Sequence, residues 1–147
     1  MTNKLTLQQS ERIIDAALRK GRELNAKPLT VAVLDDGGHL KAFRREDETS
    51  MLRPEIAIAK AWGAIGLGIS SRELGKMSID RPAFFSSLSS LAHGNLIPAP
   101  GGILILNHDE QVIGAVGITG DISEVDESCA IAGVEAAELL TRLPENA

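Results

Sequence analysis

The order in which helical and strand-like patterns follow one another is the feature that most limits the fold of this chain. One helical pattern is followed by two strand-like runs joined by a short turn, by further helical patterns, by a second such pair of runs and by a last helix. Strands joined by a few residues pair antiparallel, whereas parallel strands need a long crossover. The strand–helix–strand alternation of a doubly wound parallel sheet is absent.

The sequence therefore predicts an α/β chain of the α+β type. We expect one domain over residues 1–147, with a single antiparallel sheet of about five strands flanked by helices in the order helix-hairpin-helices-hairpin-helix.

Capping residues and apolar residues at helical spacing mark the helices. A proline near the start of such a pattern suits the first helical turn. These signals predict a first helix that begins with a capping box at Thr6 and Gln9 and stops at Asn25 and Pro28, and a second helix that begins at Pro54. A second capping box at Ser70 and Glu73 begins a third helix, and residues 82–92 form a short helix or turn. The last helix is capped by Ser123 and continues through Leu140 to Pro144.

Four short apolar runs have the length and composition of strands. Residues 29–34 and 39–44 flank Asp36-Gly37-Gly38, which supplies the positive-φ positions of a tight turn. Residues 103–106 and Val112–Thr119 flank a polar connection of hairpin length. We therefore predict two hairpins, the second preceded by a shaped loop at residues 98–102, where prolines and glycines oppose regular structure.

The charge balance argues against a nucleic-acid partner. The chain has 15 Lys and Arg against 20 Asp and Glu, a net charge of −5. Its densest basic group, Lys41, Arg44 and Arg45, is followed at once by three acidic residues. Binding to a phosphate backbone needs clustered, uncompensated cations.

Membrane association is not expected either, because no apolar run is long enough to cross a bilayer. The N-terminus enters an amphipathic pattern directly and lacks the apolar run of a signal peptide. The lone cysteine, Cys129, falls on the apolar stripe of the last helix and is expected in the core. We therefore expect a cytoplasmic protein.

Lys60 is open to two interpretations. Helical spacing places it on one face with Ala57, Ala61 and Ala64, whose small side chains leave room beside a cationic head, so that it could bind a carboxylate. Alternatively, its stem covers apolar surface and its ammonium reaches water.

Glycines punctuate the last strand at Gly114, Gly117 and Gly120. Glycine inside a strand indicates a close approach by a ligand or by another backbone. Gly117 and the loop glycines Gly101 and Gly102 are therefore candidates for ligand contact, and close packing of a helix is the alternative.

A catalytic arrangement would use the polar residues as follows. Lys60 or Arg81 would bind the carboxylate of an organic acid, and His39, Asp121 or Glu127 would transfer a proton. The acidity around Asp121 and Glu127 is equally explained by the preference of carboxylates for a helix N-terminus.

Several segments together resemble the GlcG/HbpS-like haem-binding family, which is related to the C-terminal domain of PduO-type adenosyltransferases. The match follows the chain order over most of its length. The matching segments are residues 31–40, the Ile58-Ala59-Lys60-Ala61 helix, the loop at 98–102, the run 113–120 and the acidic junction 121–127.

This resemblance implies an antiparallel sheet flanked by helices, assembly into homo-oligomers and, in some members, binding or breakdown of haem. The three histidines are too scattered in sequence to predict a metal cage. Imidazole is the usual proximal haem ligand, so His39 and His93 are the candidate iron ligands; His93 is also a candidate for ligand binding.

Three functions therefore stay open. The first is a haem-binding or haem-handling protein. The second is a small cofactor-independent enzyme that acts on an organic acid in a catabolic pathway. The third is an oligomeric interaction module without chemistry.

Overall fold

The computed structural model describes residues 3–143, which contain five helices and five strands. In chain order the elements are α1 (Leu7–Glu23), β1 (Thr30–Asp35), β2 (Leu40–Arg45), α2 (Arg53–Leu67), α3 (Ser71–Asp80), α4 (Pro82–Leu91), β3 (Gly102–Leu106), β4 (Val112–Thr119), α5 (Ser123–Ala136) and β5 (Leu140–Thr141).

The five strands form one antiparallel sheet in the order β2-β1-β4-β3-β5. The two hairpins lie side by side because β1 pairs with β4, with Thr30 opposite Thr119 and Leu34 opposite Ala115. The predicted α+β class, with helices flanking a single antiparallel sheet, is confirmed.

Helices cover both faces of the sheet. Helices α1 and α5 pack together on one face, where Ile13, Val31, Val116 and Cys129 belong to the larger apolar cluster. Helix α2 lies on the other face, over a smaller cluster that includes Leu104. Cys129 is fully buried as expected, and burial raises the pKa of its thiol to about 11.

Helix α2 can lie close to the sheet because the residues beneath it are small. A Cβ atom at Gly117 would collide with the carbonyl oxygen of Ala57, and one at Gly102 with that of Lys60. These two glycines therefore let the backbone of α2 rest on β4 and on the start of β3.

Helices α3 and α4 follow α2 in the chain as two separate helices. The Ser70 side chain accepts the Glu73 N–H at 3.4 Å, which is one half of the predicted capping box. The segment predicted as a short helix or turn is the helix α4, and none of its ten residues is buried. This helix therefore presents most of its surface to its surroundings.

The prediction for the last helix was wrong at both ends. Ser123 is the first residue of α5, and the capping position is taken by Ile122, which has extended backbone angles and provides no side-chain cap. Helix α5 ends at Ala136; Glu138 then adopts a φ of 61°, and Leu140–Thr141 pairs with β3 as a fifth strand. Pro144, the predicted stop, lies outside the described residues.

Candidate functional site

The turn between β1 and β2 holds the His39 ring against Asp35. Asp35 Oδ1 accepts the N–H groups of Gly37 and His39 at 3.0 and 2.9 Å, and it lies 3.2 Å from His39 Nδ1. Burial raises the pKa of Asp35, but the backbone hydrogen bonds from His39 and Gly37 outweigh it and leave that pKa below its ordinary value. The Asp35 carboxylate therefore joins the backbone of the turn to the His39 ring.

This turn packs against Trp62 on the outer side of α2. Gly38 has a φ of +80°, and a Cβ atom there would lie 3.2 Å from Trp62 Cδ1. His39 follows directly, with 82% of its side chain exposed. His39, which the sequence offers as an iron ligand, is therefore accessible in this turn.

Two grooves share Trp62, and we call them the Trp62 grooves. The first has a volume of about 280 Å³ and is lined by Glu55, Ile58, Ala59, Trp62 and Asn95. The second has a volume of about 160 Å³ and is lined by apolar residues of α2, of α4 and of the segment after α4, including Leu88, Leu91 and Leu96. Both grooves are lined mostly by apolar side chains.

His93 lies in the turn that follows α4. It is exposed and has a φ of 56°. Its neighbours Ala92 and Asn95 line the Trp62 grooves. Both candidate iron ligands are therefore in turns next to the same surface. His108 is elsewhere, in the second hairpin, where its Nε2 lies 2.8 Å from the carbonyl oxygen of Glu138.

Lys60 lies on the opposite, inner side of α2. Its side chain is 4% exposed, and Nζ donates to the carbonyl oxygen of Ile118 at 2.9 Å and to Asp126 Oδ2 at 3.3 Å. The interpretation in which its ammonium reaches water is thus wrong. The carboxylate that it binds is the protein's own.

The two partners of this buried ion pair have shifted pKa values. Burial lowers the pKa of Lys60, and the Asp126 carboxylate acts against that shift. Burial likewise raises the pKa of Asp126, and Lys60 acts against it. Asp126 Oδ1 also accepts the Asp121 N–H at 3.0 Å, so the pair joins α2, the end of β4 and the start of α5.

The candidate ligand-contact glycines surround this pair. A Cβ atom at Gly101 would lie 2.7 Å from Lys60 Nζ, and Gly102 donates its N–H to Ser71 Oγ at 2.7 Å. The structure brings Gly101, Gly102 and Gly117 together with Lys60. The space above these glycines is taken by α2 and by the Lys60 side chain.

Of the other predicted site residues, Asp121 joins this cluster through its backbone N–H, which donates to Asp126, and the others have partners elsewhere. Glu127 forms a bidentate pair with Arg72, with N–O distances from 2.9 to 3.2 Å. Asp121 accepts the Lys27 N–H at 2.7 Å, and Arg81 lies over the Phe84 ring at 4.2 Å.

Sequence reasoning missed three residues. Asp126 was part of an acidic stretch that a helix N-terminus explains, so its burial had no separate signal. Arg53 Nη1 donates to Thr119 Oγ1 at 2.6 Å. The two residues are 66 positions apart, so no local pattern in the sequence links them. Trp62 had a detectable signal, since a bulky aromatic stands on the helix face opposite the small alanines.

Among residues 3–143, no group of three or more His, Cys, Asp and Glu side chains is placed to hold a metal ion. None of the helices in this part of the chain combines the length and hydropathy needed to span a membrane.

Residues 5–135 match the protein family described as "Haem degrading protein HbpS-like". The chain belongs to the HbpS-like family. GlcG of Escherichia coli strain K12 is 31% identical to this HbpS-like chain over 121 residues, which are 80% of the chain and 84% of GlcG. The predicted family resemblance is confirmed.

The HbpS-like chain is also similar to part of a longer enzyme. The corrinoid adenosyltransferase PduO of Citrobacter freundii is 24% identical over 137 residues, which are 93% of this chain. The HbpS-like chain spans 40% of the length of that adenosyltransferase.

Solved structures share the fold. A crystal structure of a PduOC–haem complex has a TM-score of 0.85 at 25% identity and covers 95% of this chain and 99% of the other. The crystal structure of HbpS has a TM-score of 0.79 at 23% identity, covering 92% and 91% of the two chains.

Proposed function

We propose that this HbpS-like chain binds haem at the Trp62 grooves, with His39 as the first candidate for the iron ligand and His93 as the second. The observation that carries the proposal is the exposed imidazole of His39, which contacts Asp35 in a turn that packs against Trp62 through Gly38. A relative of similar fold that was solved with haem supports the choice of cofactor.

The residues present fit a porphyrin chemically. Ligand sites for flat organic groups are mostly apolar with a few convergent polar groups. The Trp62 grooves offer an indole and leucines of α4, and residues close to His93 in sequence line them. A neutral imidazole with its second nitrogen held by a carboxylate is a typical iron ligand.

Haem, when bound, would supply an iron centre that can take a protein ligand and exchange electrons. The chain would supply the imidazole, and its apolar side chains would exclude water from one porphyrin face. Because each groove is smaller than a typical cofactor pocket of roughly 300–1,000 Å³, one chain would leave part of the haem uncovered.

We further propose that a second copy of this chain covers the surface formed by α3 and α4. Ile79, Phe84 and Leu91 are exposed there, and α4 contains no charged residue. Since each chain carries a net charge of −5, two copies repel each other least where they meet through a segment without charged residues, which here is α4. A homo-oligomer of this kind would also shield haem at the Trp62 grooves.

The organic-acid enzyme stays a prediction that no contact among residues 3–143 favours. Three of its proposed groups already have partners within the chain. Lys60 pairs with Asp126, Glu127 pairs with Arg72, and Asp121 accepts a backbone N–H. The interaction module without chemistry would have the same oligomeric surface but would not bind haem.

A haemin titration followed by Soret absorption tests the proposed function. We expect saturable binding of one haem per chain. His39→Ala should lose the Soret absorption typical of histidine-ligated haem, and His93→Ala should bind haemin more weakly. His108→Ala is the matched control, because His108 lies in the other hairpin and should bind as the wild type does. Unsaturable binding that none of the variants changes would overturn the haem proposal.

A further inference from the structure

Three polar side chains lie in one row across β2, β1 and β4. Thr30 is paired with Arg45 on one side and with Thr119 on the other. Residues directly opposite each other in an antiparallel pair point to the same face of the sheet. This face is the one that α2 covers, because Arg53 of α2 donates from Nη1 to Thr119 Oγ1 at 2.6 Å. Arg45, Thr30 and Thr119 therefore lie side by side, with the Arg53 guanidinium at the end of the row.

The neighbouring residue Arg44 agrees with this assignment of faces. Its guanidinium pairs with Asp15 of α1, which packs on the opposite face of the sheet. Successive side chains of a strand point to opposite faces, so Arg45 points away from α1. Arg45 is exposed and lies in β2, an edge strand of the sheet. The row is therefore open to solvent at its Arg45 end.

Neither arginine of this row is neutralised by a carboxylate within residues 3–143. Arg53 donates only to hydroxyl oxygens there, those of Thr119 and Ser50, and Arg45 forms no ion pair with any described residue. Lys60, a second cation of α2, differs because it faces a carboxylate. A guanidinium carries five N–H donors in a fixed fork, so Arg53 keeps donors for a further acceptor.

Carboxylates close to these arginines in sequence are used elsewhere. Glu46, directly after Arg45, pairs with Arg22, and Asp47 lines a surface groove together with that same pair. Glu55, the acidic residue in the first turn of α2, lines the first Trp62 groove. The positive charge of the two arginines is thus left for a ligand.

Two hydroxyl groups in this part of the described chain also have no partner. Thr30 is fully buried, and its Oγ1 forms no hydrogen bond with residues 3–143. The same holds for Thr49 Oγ1, which lies on the connection from β2 to α2 and hence between the two arginines in sequence. Buried polar groups without a partner are rare and call for a bound water or ion. Thr30, placed between Arg45 and Thr119, can donate its hydroxyl hydrogen to an anion.

We propose that Arg45 and Arg53 bind a small, doubly charged oxyanion at this row, which we call the Thr30 site, and that the Thr30 hydroxyl donates to it. Two guanidinium groups balance two negative charges, and anionic oxygens form short, strong hydrogen bonds with such donors. A phosphate group and a small dicarboxylate share this chemistry. The Thr30 site is separate from the proposed haem site, because none of its three residues lines the Trp62 grooves.

Isothermal titration calorimetry with inorganic phosphate, succinate and acetate tests the Thr30 site at slightly alkaline pH, where phosphate carries two charges. The variants are Arg45→Gln, Arg53→Gln and Thr30→Val. Arg44→Gln is the matched control, because it makes the same charge change one residue away, on the face where Arg44 pairs with Asp15. Thr30→Val removes a hydroxyl that has no partner in the described chain, so this variant should melt no lower than the wild type.

We expect phosphate or succinate to bind saturably and more tightly than acetate, and the dianion that binds identifies the ligand class. Arg45→Gln and Arg53→Gln should each weaken this binding about tenfold or more, and Thr30→Val about threefold or more. Arg44→Gln should bind as the wild type does. The site is overturned if neither dianion binds, if acetate binds as tightly as succinate, or if Arg44→Gln loses as much affinity as Arg45→Gln. Haemin takes no part in this titration, so its outcome is independent of the haem proposal.

Discussion

At the scale of single residues, Lys60 and Asp126 form a buried ion pair, and withdrawing two charges from water is costly. Both side chains are almost completely withdrawn from water. Their attraction and the contacts to Ile118 and Asp121 offset the cost of desolvation. Burial therefore makes loss of either partner costly, although the pair as a whole adds little net stability.

Lys60→Met should lower the free energy of unfolding by about 3–5 kcal/mol, because it leaves the Asp126 carboxylate buried without a cation. The double variant Lys60→Met/Asp126→Asn should lose less, since the amide still accepts the Asp121 N–H and no buried charge remains. Urea unfolding measures both.

Lys4→Met is the control for this experiment, because Lys4 pairs with Asp36 at the surface with 72% of its side chain exposed. Such pairs contribute about 0–1 kcal/mol. A double variant less stable than Lys60→Met would contradict our account of the pair.

At the scale of elements, the contact between α2 and β4 decides which residues face the sheet and which face the Trp62 grooves. The backbone of α2 lies directly against Gly117 of β4. With the helix in this position, Lys60 is buried on the side that faces the sheet, and Trp62 is partly exposed on the outer side. The glycines that suggested a ligand site from sequence thus act on the grooves indirectly, by setting the position of α2.

Gly117→Ala should destabilise the fold by about 1–3 kcal/mol, because its methyl group would collide with the α2 backbone at Ala57. Gly66→Ala is the matched control within α2, where a Cβ atom would meet nothing within 4 Å. That control should be neutral or more stable by up to about 1 kcal/mol, since alanine favours helix. Equal melting temperatures for the two variants would argue against the close contact.

At the scale of the whole molecule, α3 and α4 carry large apolar side chains that the rest of the described chain leaves exposed. Ile79 is 80% exposed and Leu91 is 78% exposed. Large exposed apolar surfaces on small proteins usually mark contact sites. Oligomerisation would cover these residues and the open edge of the Trp62 grooves together.

Sedimentation velocity should give a mass above that of the 15.6 kDa monomer for the wild type. Ile79→Glu/Phe84→Glu should shift the protein towards monomer, because two carboxylates would enter an apolar contact; neither residue lines the Trp62 grooves. Leu24→Glu changes an exposed leucine at the C-terminal end of α1 and should sediment as the wild type does. A monomeric wild type would refute the second-copy proposal.

Local sequence signals were sufficient for most of the elements. The capping box at Thr6 and Gln9 formed as predicted, and the Gly-Gly turn produced the first hairpin. Such signals act over a few residues and need no partner from elsewhere. They were insufficient at the C-terminal end, where the apolar residues Leu139 and Leu140 suit a helix or a strand equally and pairing with β3 decides between them.

The sequence by itself determined most of the element types and the antiparallel class of the sheet. Only the tertiary structure decided that Lys60 meets Asp126, 66 residues away, and that the turn at Gly38 packs on Trp62. The physical reason is that periodicity and capping reflect local hydrogen bonding and solvent exposure. Whether a charge is buried or an indole borders a groove depends on which distant element packs against it, and here that element is α2 lying on the glycines of β3 and β4.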